Sequence, residues 1–351
     1  MLGAERRMGG VGTEGEHGAS RAERTAVPET ITEVVLRWLG RPRWLWIVAW
    51  SSLALVSPFV YASAIPLSGA RPLRPEAFGE LLTRQAALAY VVLVLLVGGV
   101  VLARQARSVR ADLDDRSPDQ TPPDLFVAIG SAAAPLLMTA GVVAVLVAEG
   151  WTRFGPAGPI ASLPLLAMYL VPILTYVWVD LVILVDLHRL GGRRLELPGF
   201  PEDRSQGLEQ LGTLASTGLG VLLIAAIPIL VAGSDEPLTF GISLAIVGGL
   251  VGAFALSMWR LHRQMAAAKA RHIRHARALY ADAYRPIADS PTPATLAAHS
   301  SALGVAQALE ERAQALLTWP VNEGAVRFLA VVVTGVLTSI VVRAVFALVE
   351  G

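Results

Sequence analysis

The chain has no cysteine and only one lysine, Lys269, among 351 residues. Without cysteine there is no disulfide framework, no thiolate nucleophile and no Cys-ligated zinc or iron–sulfur centre. Charge is scarce as well. Charged residues make up 16% of the chain and hydrophobic residues 54%, with a mean hydropathy of +0.55. A soluble domain carries roughly a quarter charged residues, so the excess of apolar residues points to lipid. Phosphate-loop (GxxxxGKS/T), zincin (HExxH) and nucleophile-elbow (GxSxG) signatures are missing, and Gly191-Gly192 has no strand before it. No catalytic residue, cofactor or metal centre is expected, and an ATP-driven or hydrolytic activity is disfavoured.

The apolar residues fall in seven long runs, at 44–67, 85–102, 125–148, 160–187, 214–232, 238–259 and 325–349. Each is close to the ~20 residues that cross a bilayer as a helix. The expected fold is therefore all-α: a polytopic membrane bundle of seven transmembrane helices. The first run follows more than forty mostly polar residues and is long enough to span, so it reads as a retained anchor rather than a signal peptide.

Arginine gives the orientation. The segment before the first run and the loops after the second, fourth and sixth hold 24 of the 29 basic residues, against 4 in the other loops, with Arg343 inside the seventh run. The positive-inside rule then puts the N-terminus in the cytosol and the C-terminus outside. Losing or adding one span would break the alternation.

Between and before the spans, residues 1–28 are Gly-, Glu- and Arg-rich and are expected to be disordered. Residues 30–39 form a short amphipathic helix with Ile31, Val34, Val35, Trp38 and Leu39 on one side; it either lies in the membrane interface or extends span 1. Residues 260–319 are expected to form a cytosolic helical hairpin. Its first arm continues span 6 to Pro286, residues 286–293 turn, and Ser290 or Thr292 caps a second arm with Pro293 in its first turn. Heptad-like spacing of Leu261 and Ala268, and of Leu296, Leu303 and Leu317, suits antiparallel packing. So narrow a hairpin would bury more against a second copy, a cytosolic protein, or the loop after span 4.

Few residues could carry chemistry. Charge inside the hydrocarbon is costly, and Asp180 in span 4 and Arg343 in span 7 are the two that lie there. Span 4 also holds Pro164 and Pro172, then Thr175, Tyr176 and Trp178. Freed carbonyls, hydroxyls and one carboxylate can build an ion or solute site, so Pro172, Thr175, Tyr176 and Asp180 form the candidate intramembrane site. The alternative is a long tilted helix with Asp180 facing headgroups or a neighbouring helix. Asp186 is expected to pair with Arg189. Gly212, Ser216 and Gly220, like Gly248 and Gly252, have the four-residue spacing of close helix packing. His272 and His275 stand one turn apart, but cationic neighbours disfavour a metal there. The basic run from Arg260 to Arg277 could touch anionic headgroups, and few aromatics interleave it, so a nucleic-acid role is not expected. Arg271, Arg274 and Arg277, with Glu202 and Asp203 of the loop after span 4, form the candidate cytosolic contact surface.

That loop, with Pro198, Pro201, Gly207, Leu208, Leu211 and Gly212, and the exit of span 6, with His262 and Lys269, resemble a group of uncharacterised prokaryotic multi-pass membrane proteins. In that group a loop of the form P-x-h-P-D-x-x-x-G-L-x-x-L-G precedes two spans and a long helix opening with a similar His and Lys. Here Glu202 precedes Asp203, which shifts the acidic position by one. The resemblance covers the C-terminal half and implies no activity. The leading expectation is a non-enzymatic membrane scaffold or sensor that presents the hairpin; the alternative is a transporter or channel for a small solute or ion using span 4.

Overall fold

The computed structural model describes residues 27–40, 42–67, 75–116, 122, 124–154, 157–193, 204–205, 207–232 and 237–321, with scattered positions between 324 and 338. Among these the regular structure is entirely helical: α1 (Ile31–Trp38), α2 (Arg43–Leu67), α3 (Pro75–Arg116), a 3-10 turn (Val127–Gly130), α4 (Ala133–Phe154), α5 (Ala157–Leu190), α6 (Glu209–Ala232), α7 (Pro237–Asp289) and α8 (Pro293–Ala315). Helices α3 and α5 are central. The first packs on α2, α5 and α6, and the second on α2, α3, α4, α6 and α7. Leu102 and Ala106 of α3, Val179, Ile183 and Leu187 of α5, and Leu211 of α6 are almost wholly buried where they meet.

Three helical stretches among the described residues are long and apolar enough to cross a membrane: Gln85–Asp115 in α3, Tyr169–Leu190 in α5 and Glu209–Pro228 in α6. They overlap the second, fourth and fifth expected runs. Seven spans are not supported. The first and sixth runs lie within α2 and α7, and the seventh falls largely outside the described residues. The third run differs from expectation, since residues 125–130 are a turn and helix begins only at Ala133, leaving the shorter apolar stretch Ala133–Ala148. Phe126 shows why the helix starts late. Its φ of 60° is left-handed, a conformation that no helix interior accepts.

Helix α1 begins at a capping box in which the Thr30 hydroxyl accepts from the Glu33 amide at 3.2 Å and the Glu33 carboxylate accepts from the Thr30 amide at 3.1 Å. Its inward face is not the apolar stripe. Thr32, Glu33 and Leu36 are buried, whereas Val34 and Trp38 point outward, Trp38 being 85% exposed. Just before it Val27 is buried and Pro28 packs on Gly130, while residues 1–26 of the expected disordered segment lie outside the described residues.

Helix α7 does not stop at Pro286 but runs to Asp289, because a proline lacks one donor yet has a helical φ; the Pro286 carbonyl accepts from Ser290 at 3.1 Å. Thr292 caps α8 through a reciprocal pair with Thr295, and Pro293 takes the first helical position. The two arms meet through small residues. Ala268 and Ala276 of α7 and Ala306 and Ala313 of α8 are buried, Leu261 and Met265 of α7 belong to the main core, and Leu296, an expected contact, is half exposed.

Candidate functional site

Asp180 sits in the middle of the α3–α5–α6 contact and is 4% exposed. A Cβ on Gly218 of α6 would collide with its Oδ1, so the absence of a side chain at 218 is what admits the carboxylate. One turn earlier the Tyr176 hydroxyl donates to the Gly218 carbonyl at 2.9 Å. The Tyr176 ring in turn fills the space beside Gly98 and Gly99 of α3. Asp180 and Tyr176 are thus brought together around one glycine, but Asp180 Oδ1 has no hydrogen-bond partner among the described residues. The other two candidates face elsewhere. Thr175 donates to Val171 of its own helix at 2.6 Å, and Pro172 is buried one turn before Tyr176. Arg343 lies outside the described residues.

A second polar cluster surrounds the turn at 125–130. Buried backbone outside a helix needs partners wherever water is excluded, and side chains from two helices, α3 and α5, provide them. Asp186 of α5 accepts from the Phe126 amide at 2.8 Å, Arg110 of α3 donates to the Leu125 carbonyl, and Trp178 donates to Ala128 at 2.9 Å. Arg189 stands only at 3.5 Å from Asp186. The expected Asp186–Arg189 pair is therefore secondary to the backbone contact. Arg110, 2% exposed and also 3.5 Å from Asp114, is not the solvated loop arginine it looks like in sequence. Its only textual signal is the i, i+4 acid on an otherwise apolar face.

The third cluster is the root of the hairpin. Lys269 Nζ donates to the carbonyls of Gln314 at 2.6 Å and Leu316 at 2.7 Å, closing the C-terminus of α8 with its one cation. His262 Nδ1 donates to Thr318 at 2.7 Å, and its ring stacks on Trp319 with centroids 4.3 Å apart. Gln264 donates to the carbonyls of Gly191, at 2.7 Å, and Arg193; Leu317 donates to Arg204 at 2.9 Å. Gly212 lies so close to Pro320 that a Cβ would strike the Pro320 carbonyl. Both described ends of the loop after α5 are thereby tied to the hairpin.

On the hairpin surface, Arg277 pairs with Glu310 of α8 at 2.9 Å, so it binds the two arms together, while Arg271 and Arg274 are exposed. Glu202 and Asp203 lie outside the described residues. His272 is held below its ordinary 6.5 by partial burial and by Arg271 and His275. Among the described residues no group of three His, Asp or Glu gathers to hold a metal.

The described chain is thus an all-helical protein with three membrane-length apolar helices and a helical hairpin fixed to their end. Comparison with known proteins adds no relative: no protein family, no curated protein and no solved structure matches it.

Proposed function

We propose that this is a multi-pass membrane protein of seven spans, N-terminus cytosolic and C-terminus outside, serving as a non-enzymatic scaffold or sensor that presents the α7–α8 hairpin to a cytosolic partner or a second copy. Large exposed apolar side chains on the helices, Val97, Leu137, Val145, Leu181, Ile227 and Leu256 among them, suit a lipid-facing surface. The observation that carries the scaffold reading is the fixed root. Lys269, His262 and Gln264 leave the hairpin little freedom at its base, while Tyr280 and Tyr284, stacked at 6.1 Å, and Val305 are exposed further out. Kinship with the prokaryotic group named above belongs to the same proposal. Gly207 has a left-handed φ of 80°, Leu208 and Leu211 are buried, and with Gly212, His262 and Lys269 they lie along the segments that meet at the root. A photo-crosslinking residue at Tyr284 in intact membranes should capture one discrete protein, and the same residue at Trp259 should not. Diffuse adducts from both positions would sink the scaffold reading.

Transport is the second reading, favoured by the buried Asp180 oxygen that has no hydrogen-bond partner among the described residues. A buried carboxylate of this kind is a recurrent ion or proton site. Flux of protons or sodium into proteoliposomes that collapses in Asp180→Asn would favour it over the scaffold; flux that is absent or unchanged would remove it.

A further inference from the structure

Helices α5 and α7 run side by side toward the hairpin, with His188 Nδ1 3.3 Å from the Leu256 carbonyl. Leu181, Val185, His188 and Gly192 share one face of α5 and its C-terminal turn, spaced four, three and four residues apart. Leu256, Arg260, Arg263 and Ala267 repeat the same spacing on α7. Along both faces the chemistry changes in the same direction. Leu181, Val185 and Leu256 are exposed apolar side chains, and beyond them opens a cleft of about 460 Å³ lined by Gly191, Gly192, Arg260, Arg263, Gln264 and Ala267. Among the described residues no carboxylate lines it. Among the described residues neither Arg260 nor Arg263 enters an ion pair.

The two glycines shape the cleft. A Cβ at Gly191 would stand 2.9 Å from the Leu261 backbone nitrogen, and one at Gly192 would stand 2.9 Å from Arg260 Nη1. Side chains there would fill the space beside the guanidinium. Two arginines one turn apart present the forked donors that suit a phosphate, and the distance from Leu181 to Gly192 is about 16 Å of helix, the length of an acyl chain.

We propose that this cleft binds the phosphate of an anionic phospholipid whose acyl chains lie along Leu181, Val185 and Leu256. The inference rests on the membrane reading above and assigns the ligand that meets the root of the hairpin. Arg260 and Arg263 hold the phosphate, and Gln264 fixes the Gly191–Arg193 turn beside it.

The test is native mass spectrometry of the full chain released into detergent after loading with phosphatidylglycerol or phosphatidylcholine. Wild type should retain phosphatidylglycerol at least tenfold over phosphatidylcholine, and Arg260→Gln with Arg263→Gln should lose that preference, whereas the Arg260→Lys, Arg263→Lys pair keeps part of it. Leu256→Asn should weaken lipid retention without creating sensitivity to inorganic phosphate. Equal retention of the two lipids by wild type overturns the proposal even if the glutamine pair fails to fold. Displacement of the lipid by millimolar inorganic phosphate also overturns it, since free phosphate would then be the ligand. An alkaline carbonate wash separates the two failures. Protein released by the wash refutes the membrane reading itself, and protein that stays in the pellet without lipid preference refutes only the site.

Discussion

A glutamate on the inner face of an eight-residue helix needs a cation, and Glu33 has one. Arg107 of α3 reaches its two carboxylate oxygens at 2.5 and 3.0 Å, and the Thr30 amide adds a third donor. Burial by itself would raise the Glu33 pKa; the Arg107 and Thr30 bonds outweigh it and hold the group below its ordinary 4.5. A carboxylate depressed in the folded state contributes stability above its unfolded pKa and loses it as pH falls through the folded value. Docking of α1 should therefore be constant at neutral pH and weaken as pH falls below 4.5, seen as faster hydrogen exchange of amides 33–39 relative to α3. Glu33→Gln should cost about 1–3 kcal/mol of that docking and flatten its pH dependence. An unchanged pH profile in the variant would mean that another group governs the attachment. Gly212 is the other decisive residue. Because the obstacle to a side chain there is the Pro320 backbone rather than a movable side chain, Gly212→Ala should destabilise by about 1–3 kcal/mol, read as a lower melting temperature in detergent; Gly248→Ala, which meets nothing within 4 Å, should not.

At the scale of elements, the hairpin shows what sequence reveals and what it hides. Thr292 and Pro293 announce the start of α8 because capping and a fixed φ are local properties. Pro286 misleads, since a proline near a helix end costs one hydrogen bond that the remaining turn can do without. The turn at 125–130 was hidden because apolar composition cannot distinguish a helix from a buried loop. What fixes that loop is Asp186, Arg110 and Trp178, which lie 15 to 60 residues away in sequence. Asp180 stood out as a carboxylate in an apolar run, but Gly218, which makes room for it, looks like any other small residue. Lys269 was visible as the sole lysine, though its partners were not. Its two bonds close the end of α8, so Lys269→Met should cost about 1–3 kcal/mol and speed exchange of amides 313–318, with Lys269→Arg restoring part of the protection. Equal protection in the methionine variant would show that His262 and Leu317 suffice to hold the root.

For the whole molecule, the absence of cysteine turns the proposed topology into a clean measurement, because any introduced thiol is the only one. The arginine asymmetry assigns sides by a rule about insertion, and that rule is independent of the packing that the helices adopt afterwards. Three single-cysteine variants in intact cells or sealed right-side-out vesicles decide the matter. Ser68→Cys in the loop after the first span and Glu350→Cys at the C-terminus should react with a membrane-impermeant maleimide from outside. Ser301→Cys, exposed on α8, should react only after permeabilisation. The C-terminal position separates an odd from an even number of spans, and the other two separate the direction of insertion from the count. If Glu350→Cys is protected while Ser68→Cys is labelled, the number is even, and residues 325–349 are the first candidate to remove, since α5 and α7 must both run toward the hairpin for His188 to meet Leu256 and for Gln264 to reach Gly191. If Ser301→Cys is labelled without permeabilisation, the hairpin faces outward, and the arginine rule has failed for a chain in which the proposed topology puts 24 of 29 basic residues on one side.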